Sequence, residues 1–358
     1  MEQKKLNFTI VDTNRPVPPR FEENTNTKGF VNWGADNTFP TQVHRMYLDS
    51  VTVHTIVDGT VRYICGNGVH IDEQAARWNG EINRKGEEMS NLIEQLATDL
   101  MIYDGFAIQV IYNKLGAIAE LYALDFGRCR VNVDGTKVYY SPKWGAYTAK
   151  YKEYDAFNRE KINPENPTQI YFYKGAARTC YPYPSWGGAF KDALTEIESG
   201  KLQLNSVANG LNAKTMITLP NDTGTLTNKE KEAVEDAIRE KFYGSEATSS
   251  FFLFWREEGM SEMKVDSIKT EDDSNRFKTM KESAQDNIFV AFQATPTLFG
   301  LLQKAKGFSK TEYKEAYELY EAIQVSGRRK KITKVLNKIL GTDNAITILP
   351  FDIDTEEE

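Results

Sequence analysis

The clearest helical pattern in the chain predicts a long helix from about Glu271 to Ala294. Its apolar residues recur at spacings of three and four, which places them on one face of an α-helix. They are Phe277, Met280, Ala284, Ile288 and Ala291. Acidic residues fill the first turn, where the helix dipole favours negative charge. The helix is expected to end before Pro296, because the residue preceding a proline is driven out of the α region.

An apolar loop with two lysines, Lys304 and Lys306, follows this helix. A second helix is predicted from Ser309, because Ser309 and Glu312 have the spacing of a capping box. Phe308 and Tyr313 stand at the staple positions on either side. One face of this helix is rich in tyrosine, which is more typical of packing than of ligand binding. Its members are Tyr313, Ala316, Tyr317, Tyr320 and Ile323.

A basic run then begins a further helical piece, which Gly327 is expected to separate from the helix before it. The run is Arg328, Arg329, Lys330 and Lys331. Such a run can bind nucleic acid, but it is more often a solvated face or an ion-pair donor to another subunit. Gly341 should stop this helix, and a final strand is predicted from Ala345 to Leu349.

The first part of the chain divides into a polar segment and a helical one. Residues 1–38 are polar and turn-rich, which predicts an arm that is flexible or ordered only against a neighbouring subunit. From Pro40 to Cys65 the apolar spacing predicts two helices or one bent helix. The glycines of Gly66-Asn67-Gly68 then stop it, and they match neither phosphate-binding glycine motif.

A predicted helix from Glu87 to Tyr103 leads into alternating strand patterns. Two hairpins are indicated, the second by the strong turn signal Asp134-Gly135. The predicted strands are Phe106–Tyr112, Ala117–Ala123, Cys129–Val133, Lys137–Tyr140, Tyr147–Phe157 and Gln169–Tyr173. The fold class that follows is α+β, with an antiparallel sheet.

The middle of the chain predicts a helix and then a small α/β unit. The helix covers about Gly188–Asn209. The unit holds strand Thr215–Leu219, a capped helix from Thr227 and strands Ser250–Trp255 and Met263–Ile268. The run Phe251-Phe252-Leu253-Phe254-Trp255 is either buried in this unit's own sheet or paired across a subunit edge, which would otherwise promote aggregation.

Composition indicates a soluble chain with one large or two modest domains. It has 358 residues, of which 40% are hydrophobic and 27% charged, and a net charge of −7. A protein that grips DNA through its phosphates is usually basic. Contact with DNA would therefore fall to a few local lysines or arginines on an otherwise acidic surface.

The sequence shows no catalytic or cofactor motif, so we expect neither an enzyme nor a bound cofactor or metal. The three cysteines are far apart, which argues against a zinc site or a disulfide framework. The three histidines have no ligand spacing. No signal peptide is recognised, and no run approaches the roughly 20 apolar residues of a membrane span. These features fit the bacterial cytoplasm, followed by assembly into a particle.

Three segments, taken in order, resemble the portal proteins of tailed bacteriophages. Pro296, Leu298 and Gly300 of "ATPTLFG" are similar to the exit of the stem helix in that family. Upstream, "YPYPSWGGAFKDALTEI" followed by "NGLNAKTMI" resembles the helix and strand that lead into the clip. The N-terminal "VNWGADNTFP" resembles the opening of such portals. The main resemblance spans roughly Tyr181 to Leu340.

The resemblance implies a portal fold with a wing, two stem helices and an α/β clip, and with a crown that is absent or minimal. Its domains would be an N-terminal arm (1–38), wing (39–185), first stem helix (186–212), clip (213–269), second stem helix (270–296), channel loop (297–308) and a long wing helix with a C-terminal strand and tail (309–358). The channel constriction would be Leu301, Leu302, Gln303, Lys304, Ala305, Lys306, Gly307 and Phe308. Lys304 and Lys306 would touch phosphates, and the stem residues Lys278 and Lys281 would face either the channel or a neighbouring helix.

The resemblance also implies a function and partners. Twelve copies would form a closed ring, a dodecamer, at the capsid vertex of the virion, through which double-stranded DNA is packaged and ejected. The ring would contact the major capsid protein, the packaging terminase and the head–tail adaptor, after assembly in the host cytoplasm. The alternative left open by the residues is a cytoplasmic α+β enzyme acting on nucleic acid or nucleotides.

Overall fold

The computed structural model describes residues 17–145, 149–208, 216–221, 233, 252–257, 271–300 and 310–351. The chain divides into two compact units, one formed by Met1–Leu194 with Gln285–Glu358 and the other by Thr195–Ala284. The helices described are α1 (Phe39–Asp49), α2 (Val51–Cys65), α3 (Met89–Tyr103), α4 (Phe190–Ala208), α5 (Glu271–Phe292), α6 (Lys310–Tyr320) and α7 (Ser326–Leu340). No helix in these ranges is long and apolar enough to cross a membrane.

The strands described are β1 (Glu23–Thr25), β2 (Val31–Trp33), β3 (Val69–Ile71), β4 (Phe106–Tyr112), β5 (Ile118–Leu124), β6 (Cys129–Val131), β7 (Lys137–Tyr140), β8 (Lys152–Ala156), β9 (Thr168–Tyr173), β10 (Met216–Asn221), β11 (Phe252–Glu257) and β12 (Ile346–Ile348). Both predicted hairpins form, β4 with β5 and β6 with β7. The α+β fold class is therefore confirmed.

The main sheet has six strands in the order β5-β4-β9-β8-β7-β6. It is mixed rather than purely antiparallel, because β8 and β9 run parallel where Asp155 and Ala156 face Gln169 and Ile170. Parallel neighbours need a connection that carries the chain back along the sheet, and residues 157–167 supply it. The sequence pattern marked both strands but could not show their relative direction.

The helices α1, α2 and α3 form the core of the larger unit. The predicted bend between Pro40 and Cys65 is a break at Ser50, whose hydroxyl caps α2 by accepting from the Val53 N–H. Apolar side chains of α2 and α3 are buried, among them Val53, Ile56, Ile64, Leu92, Leu96 and Leu100. Each such side chain contributes about 1.5–3 kcal/mol when fully buried. This core holds α2 as a rigid support.

The N-terminal segment corrects an expectation. Strands β1 and β2 pair as a hairpin, and Trp33 is completely buried with its ring stacked on Tyr181 at 4.4 Å between centroids. Residues 23–38 are thus ordered within the subunit and do not need a neighbour. The expectation of an arm failed here because the buried set, Phe30, Val31 and Trp33, is too short to show a period. Residues 1–16 lie outside the described part.

Asn37 of the motif "VNWGADNTFP" binds a buried arginine, Arg130. Arg130 is fully buried, and its guanidinium donates to both oxygens of Asn37 and to the carbonyls of Gly127 and Cys129. Asn37 is in the left-handed region (φ 61°) and also accepts from the Trp33 N–H at 2.9 Å. Burial lowers the pKa of Arg130 to about 10. The motif is therefore structural, because it supplies neutral acceptors to a buried cation.

In the smaller unit, β10 and β11 pair in parallel, with Met216 opposite Phe252 and Asn221 opposite Glu257. Parallel pairing needs a crossover connection of a dozen or more residues, and the two strands are far enough apart in the sequence to allow one. The apolar strand thus pairs within its own chain, which is one of the two arrangements that the sequence left open. The predicted helix from Thr227, apart from residue 233, and the predicted strand Met263–Ile268 lie outside the described residues.

Candidate functional site

The exit from α5 is the first part of the candidate site. After Phe292 the chain turns at Gln293, which is left-handed (φ 50°), and Thr295 is extended ahead of Pro296, as the proline requires. Pro296–Phe299 then forms a single 3₁₀ turn that ends at Gly300. Gly300 has φ 80°, a conformation that glycine adopts without strain. The helix end predicted from the sequence is therefore correct, with a compact turn added to it.

Of the predicted channel loop (297–308), the structure describes only residues 297–300. The residues predicted to form the constriction lie outside the described part: Leu301, Leu302, Gln303, Lys304, Ala305, Lys306, Gly307 and Phe308. Ser309 of the predicted capping box also lies outside it. The structure describes the chain up to Gly300 and again from Lys310. The site can be described through these two ends and the surface that holds them.

The two predicted stem lysines are on α5. Lys278 is exposed and Lys281 is half-buried, and their spacing of three places them on one side of the helix. Neither forms a salt bridge with another residue in the described ranges. Both belong to the smaller unit.

Tyr63 of α2 joins the two ends of the loop. Its hydroxyl donates to the Leu298 carbonyl at 3.2 Å and lies 3.0 Å from the Tyr313 hydroxyl. Because the Tyr63 proton is used on Leu298, Tyr313 is the donor in the second bond. Burial, followed by the bond with Tyr313, raises the pKa of Tyr63. The phenol therefore stays neutral and hydrogen-bonds to Leu298 and Tyr313 at the same time.

Phe299 packs against a gap that a glycine leaves in α2. A Cβ at Gly59 would lie 2.7 Å from the Phe299 ring, closer than real Cβ atoms approach. The same ring meets Tyr320 edge-on, with centroids 5.7 Å apart, and Phe289 at 6.3 Å. Gly59 thus allows the 3₁₀ turn to pack closely on α2.

Tyr320 connects α6 to the same stretch of α2. Its hydroxyl lies 2.6 Å from Thr60 Oγ1, and Thr60 itself donates to the Ile56 carbonyl at 2.6 Å. Tyr320 is therefore the donor to Thr60. Tyr63, Phe299, Tyr317, Tyr320 and Phe351 form a continuous set of ring contacts, which we call the anchor cluster. Burial and then Glu321 raise the pKa of Tyr317 to about 12.

The long C-terminal helix is continuous across Gly327, contrary to the sequence expectation. Its irregularity is a π-helical turn at Glu321–Val325, between α6 and α7. The wider turn rotates the helix surface, so Ile323 is 56% exposed while Gln324 and Val325 are buried. Gln324 then donates to the Gln293 side-chain carbonyl at 2.5 Å. The π turn thus links α7 to the exit of α5.

Arg329 is a buried structural residue. It is 7% exposed, forms a salt bridge to Glu321 at 2.5 Å and donates to the Tyr63 carbonyl at 2.7 Å and the Ile64 carbonyl at 3.1 Å. For this residue none of the three roles considered for the basic run applies. Its planar guanidinium binds these two carbonyls at the C-terminal end of α2, beside the anchor cluster. The sequence analysis did not single out Tyr63, Gly59 or Thr60. It named Arg329 only as part of the basic run, and the tyrosine-rich face of α6 was its other signal at this site.

The chemistry of this site is that of a mechanical support. In the described part of the chain, no three His, Cys, Asp or Glu side chains cluster to hold a metal ion. The hydroxyl and guanidinium groups at the site form hydrogen bonds with one another or with backbone carbonyls. The arrangement is suited to fixing the ends of a loop.

Comparison with known proteins identifies the fold. No protein-family model and no curated protein matches the sequence. Among solved structures, a chain in the virion of a native gene transfer agent particle aligns with TM-score 0.56 and 16% identity, covering 88% of this chain and 84% of that one. A chain from the neck of that native particle, computed with C12 symmetry, aligns with TM-score 0.54, 16% identity and the same coverage.

A looser alignment, with TM-score 0.48 and 11% identity, is to a HK97 family phage portal protein from Corynebacterium diphtheriae. It covers 88% of this chain and 97% of that one. At 16% identity, the alignments with TM-scores above 0.5 show that this chain shares the fold of chains in the virion and the neck of the gene transfer agent particle.

Proposed function

We propose that this chain is the portal protein of a tailed-phage-type particle, and that it acts as a ring without enzymatic activity. The observation that carries the proposal is the fold shared over 88% of the chain with a chain of a particle neck. The hydrogen bonds of Tyr63 to Leu298 and Tyr313, on either side of the predicted channel loop, agree with this proposal. The expected location is the capsid vertex of the virion, after assembly in the host cytoplasm.

The ring would be a dodecamer with a central channel for double-stranded DNA. A neck chain of the same fold occurs in a particle computed with C12 symmetry, and one from an empty particle was computed with C6 symmetry. Copies related by rotation make heterologous contacts that close into a ring. The proposed division into wing, stem, clip and channel loop keeps the boundaries given above. The compact unit Thr195–Ala284 supports the separation of stem and clip from the wing.

In this proposal the channel constriction is the segment Leu301–Phe308, and Lys304 and Lys306 contact DNA phosphates. Lys278 and Lys281 of α5 face the channel or a neighbouring stem helix. The anchor cluster, which includes Tyr63, would hold the loop at a fixed position while DNA passes. The clip would dock the terminase and later the head–tail adaptor, and the wing would meet the major capsid protein.

The first test is negative-stain electron microscopy of the purified chain, with mass photometry on the same sample. Rings with a central hole are expected, and the mass gives the number of subunits. If only monomers form, the chain is co-expressed with its capsid partners and the particles are imaged. Particles without a ring at one vertex would refute the proposal.

The channel assignment has its own test. The double variant Lys304→Ala, Lys306→Ala should assemble rings as the parent does but package or retain less DNA. The matched control is Lys150→Ala, Lys152→Ala, which removes two exposed lysines from the main-sheet region. Equal packaging by both variants would remove the phosphate-contact role from the loop lysines, and loss of folding would show that they are structural.

A further inference from the structure

Helix α7 carries a concentration of positive charge that the packing of the subunit does not use. Ser326–Leu340 contains six basic residues and no acidic one, in a chain whose net charge is −7. Arg329 is buried and paired with Glu321, and Arg328 is half-buried and donates to the Gln324 carbonyl at 2.8 Å. Four exposed lysines remain, which we call the lysine row: Lys330, Lys331, Lys334 and Lys338.

The lysine row has no carboxylate partner among the residues that the structure describes. The Lys338 ammonium lies over the Tyr171 ring, at 5.4 Å from the ring centroid. Such like charges repel one another on one helix face. Their concentration therefore favours a partner that brings negative charge.

The row is presented on a rigid element. The opposite face of α7 is buried through Ile332, Leu336 and Ile339. Near its end, the Asn337 side chain donates to the Ile346 carbonyl at 2.9 Å and accepts from the Ile346 N–H at 3.0 Å. The lysines therefore share a fixed surface, although each side chain can move.

The geometry of the row suits a phosphate backbone. Lys330, Lys334 and Lys338 are four residues apart, so they extend along about 12 Å of helix axis. Over that length duplex DNA presents about seven phosphate charges. A protein partner is less favoured, because lysine is depleted at protein interfaces whereas arginine and aromatic residues are enriched.

We propose that the lysine row of α7 binds the phosphate backbone of double-stranded DNA without regard to sequence, in addition to the lysines proposed for the channel loop. It uses the DNA of the proposed function as its ligand, but it does not require that the chain form a ring. Because such binding releases counterions, its affinity must fall with salt.

The test is fluorescence anisotropy of the full chain with a random-sequence duplex of about 40 base pairs, in a salt series. The triple variant Lys330→Gln, Lys334→Gln, Lys338→Gln should bind more weakly. The slope of log affinity against log salt should decrease by about 1 for each lysine removed, or about 3 in total. The matched control is Lys114→Gln, Lys150→Gln, Lys152→Gln, which changes the net charge equally at exposed lysines elsewhere and should keep the parent slope.

Two further measurements separate the outcomes. The triple Lys→Arg variant of the same row keeps the charge and should keep the slope, and circular dichroism checks folding. Mass photometry on the same samples reports rings. A salt effect in samples without rings would support this inference, and the ring proposal would then be decided by the particles formed on co-expression. An unchanged slope in the Gln variant, an equal loss in the control, or loss of rings with DNA binding intact would each overturn this inference.

Discussion

The hydroxyl oxygens of Tyr63 and Tyr313 lie 3.0 Å apart, and the same Tyr63 hydroxyl is 3.2 Å from the Leu298 carbonyl. One phenol on α2 therefore joins residues on both sides of a segment proposed to line a channel. The Tyr63→Phe variant removes both bonds and leaves the buried Leu298 carbonyl without that donor. We expect the free energy of unfolding to fall by about 1–3 kcal/mol, as measured by urea denaturation.

A second tyrosine provides the control for this prediction. Tyr151 is 36% exposed, and its hydroxyl makes no hydrogen bond with another described residue. Tyr151→Phe should therefore leave the unfolding free energy within about 0.5 kcal/mol of the parent value. If Tyr63→Phe is as stable as Tyr151→Phe, the hydroxyl of Tyr63 does not hold the two ends.

Gly59 gives a packing test of the same contact. In Gly59→Ala the new methyl would lie 2.7 Å from the Phe299 ring, so either the ring or α2 must move. Overpacking of this kind costs about 1–3 kcal/mol of unfolding free energy. The double variant Gly59→Ala, Phe299→Leu should lose less than the sum of the single variants, because the smaller side chain relieves the clash.

The matched control for Gly59 is Gly327, which is also within a helix. A Cβ at Gly327 would meet nothing within 4 Å. Gly327→Ala should stabilise the protein by up to about 1 kcal/mol, because alanine is the better helix former. A loss of stability in Gly327→Ala equal to that in Gly59→Ala would show that helix strain, and not Phe299, causes the effect.

The ends of elements were predictable where a local rule decides them. Pro296 set the end of α5, and Asp134-Gly135 set the hairpin of β6 and β7. The support of the loop was not predictable, because Tyr63 and Leu298 are 235 positions apart and no periodicity connects them. The π turn also left no pattern, since it shifts the buried face of the helix by one residue, and the apparent stripe included the exposed Ile323.

The sequence did not show which residues of the basic run would be buried and which exposed. The four residues of the basic run look equivalent in the sequence, yet Arg329 is buried while Lys330 and Lys331 are exposed. What separates them is the position of Glu321, eight residues earlier in the same helix, and of the α2 carbonyls, which tertiary packing brings to Arg329. Arg130 shows the same effect, since Asn37 reaches it from 93 positions away.

Arg329 can be tested against an exposed arginine. Arg329→Met removes one partner of the buried pair with Glu321 and leaves two α2 carbonyls without donors. We expect a loss of about 3–5 kcal/mol in unfolding free energy. Arg329→Lys should recover only part of it, because an ammonium cannot reproduce the planar fork.

The control for Arg329 is Arg84, whose side chain is 88% exposed and lies 2.8 Å from Glu120. Arg84→Met should cost at most about 1 kcal/mol, because the Arg84 side chain is exposed and the less exposed Glu120 keeps its hydrogen bond from the Tyr122 hydroxyl. Similar losses in the two variants would mean that Arg329 contributes no more than a surface charge. Because the Arg84 contact is salt-screened and the Arg329 contact is not, the difference should grow at high ionic strength.

Asp99 predicts how stability depends on pH. Asp99 keeps some exposed surface, but protein encloses its carboxyl, and one oxygen accepts from the Phe126 N–H at 3.2 Å. Burial above all, with Asp125 nearby, raises the pKa of Asp99 well above its usual value. The unfolded chain releases this proton near pH 4, at the ordinary pKa of about 3.9. Above that pH the folded state holds more protons, so this group makes stability fall as pH rises.

Asp99→Asn removes this dependence, because the amide cannot lose a proton while its oxygen can still accept from Phe126. We therefore expect the variant to be more stable than the parent at pH 7, with the difference shrinking towards pH 4. Urea denaturation in a pH series at constant ionic strength measures it, with Asp134→Asn in the exposed hairpin turn as control. If the Asp99→Asn and parent curves run parallel from pH 4 to pH 7, Asp99 is ionised in the folded protein, and the protonated buried carboxyl inferred from its surroundings is wrong.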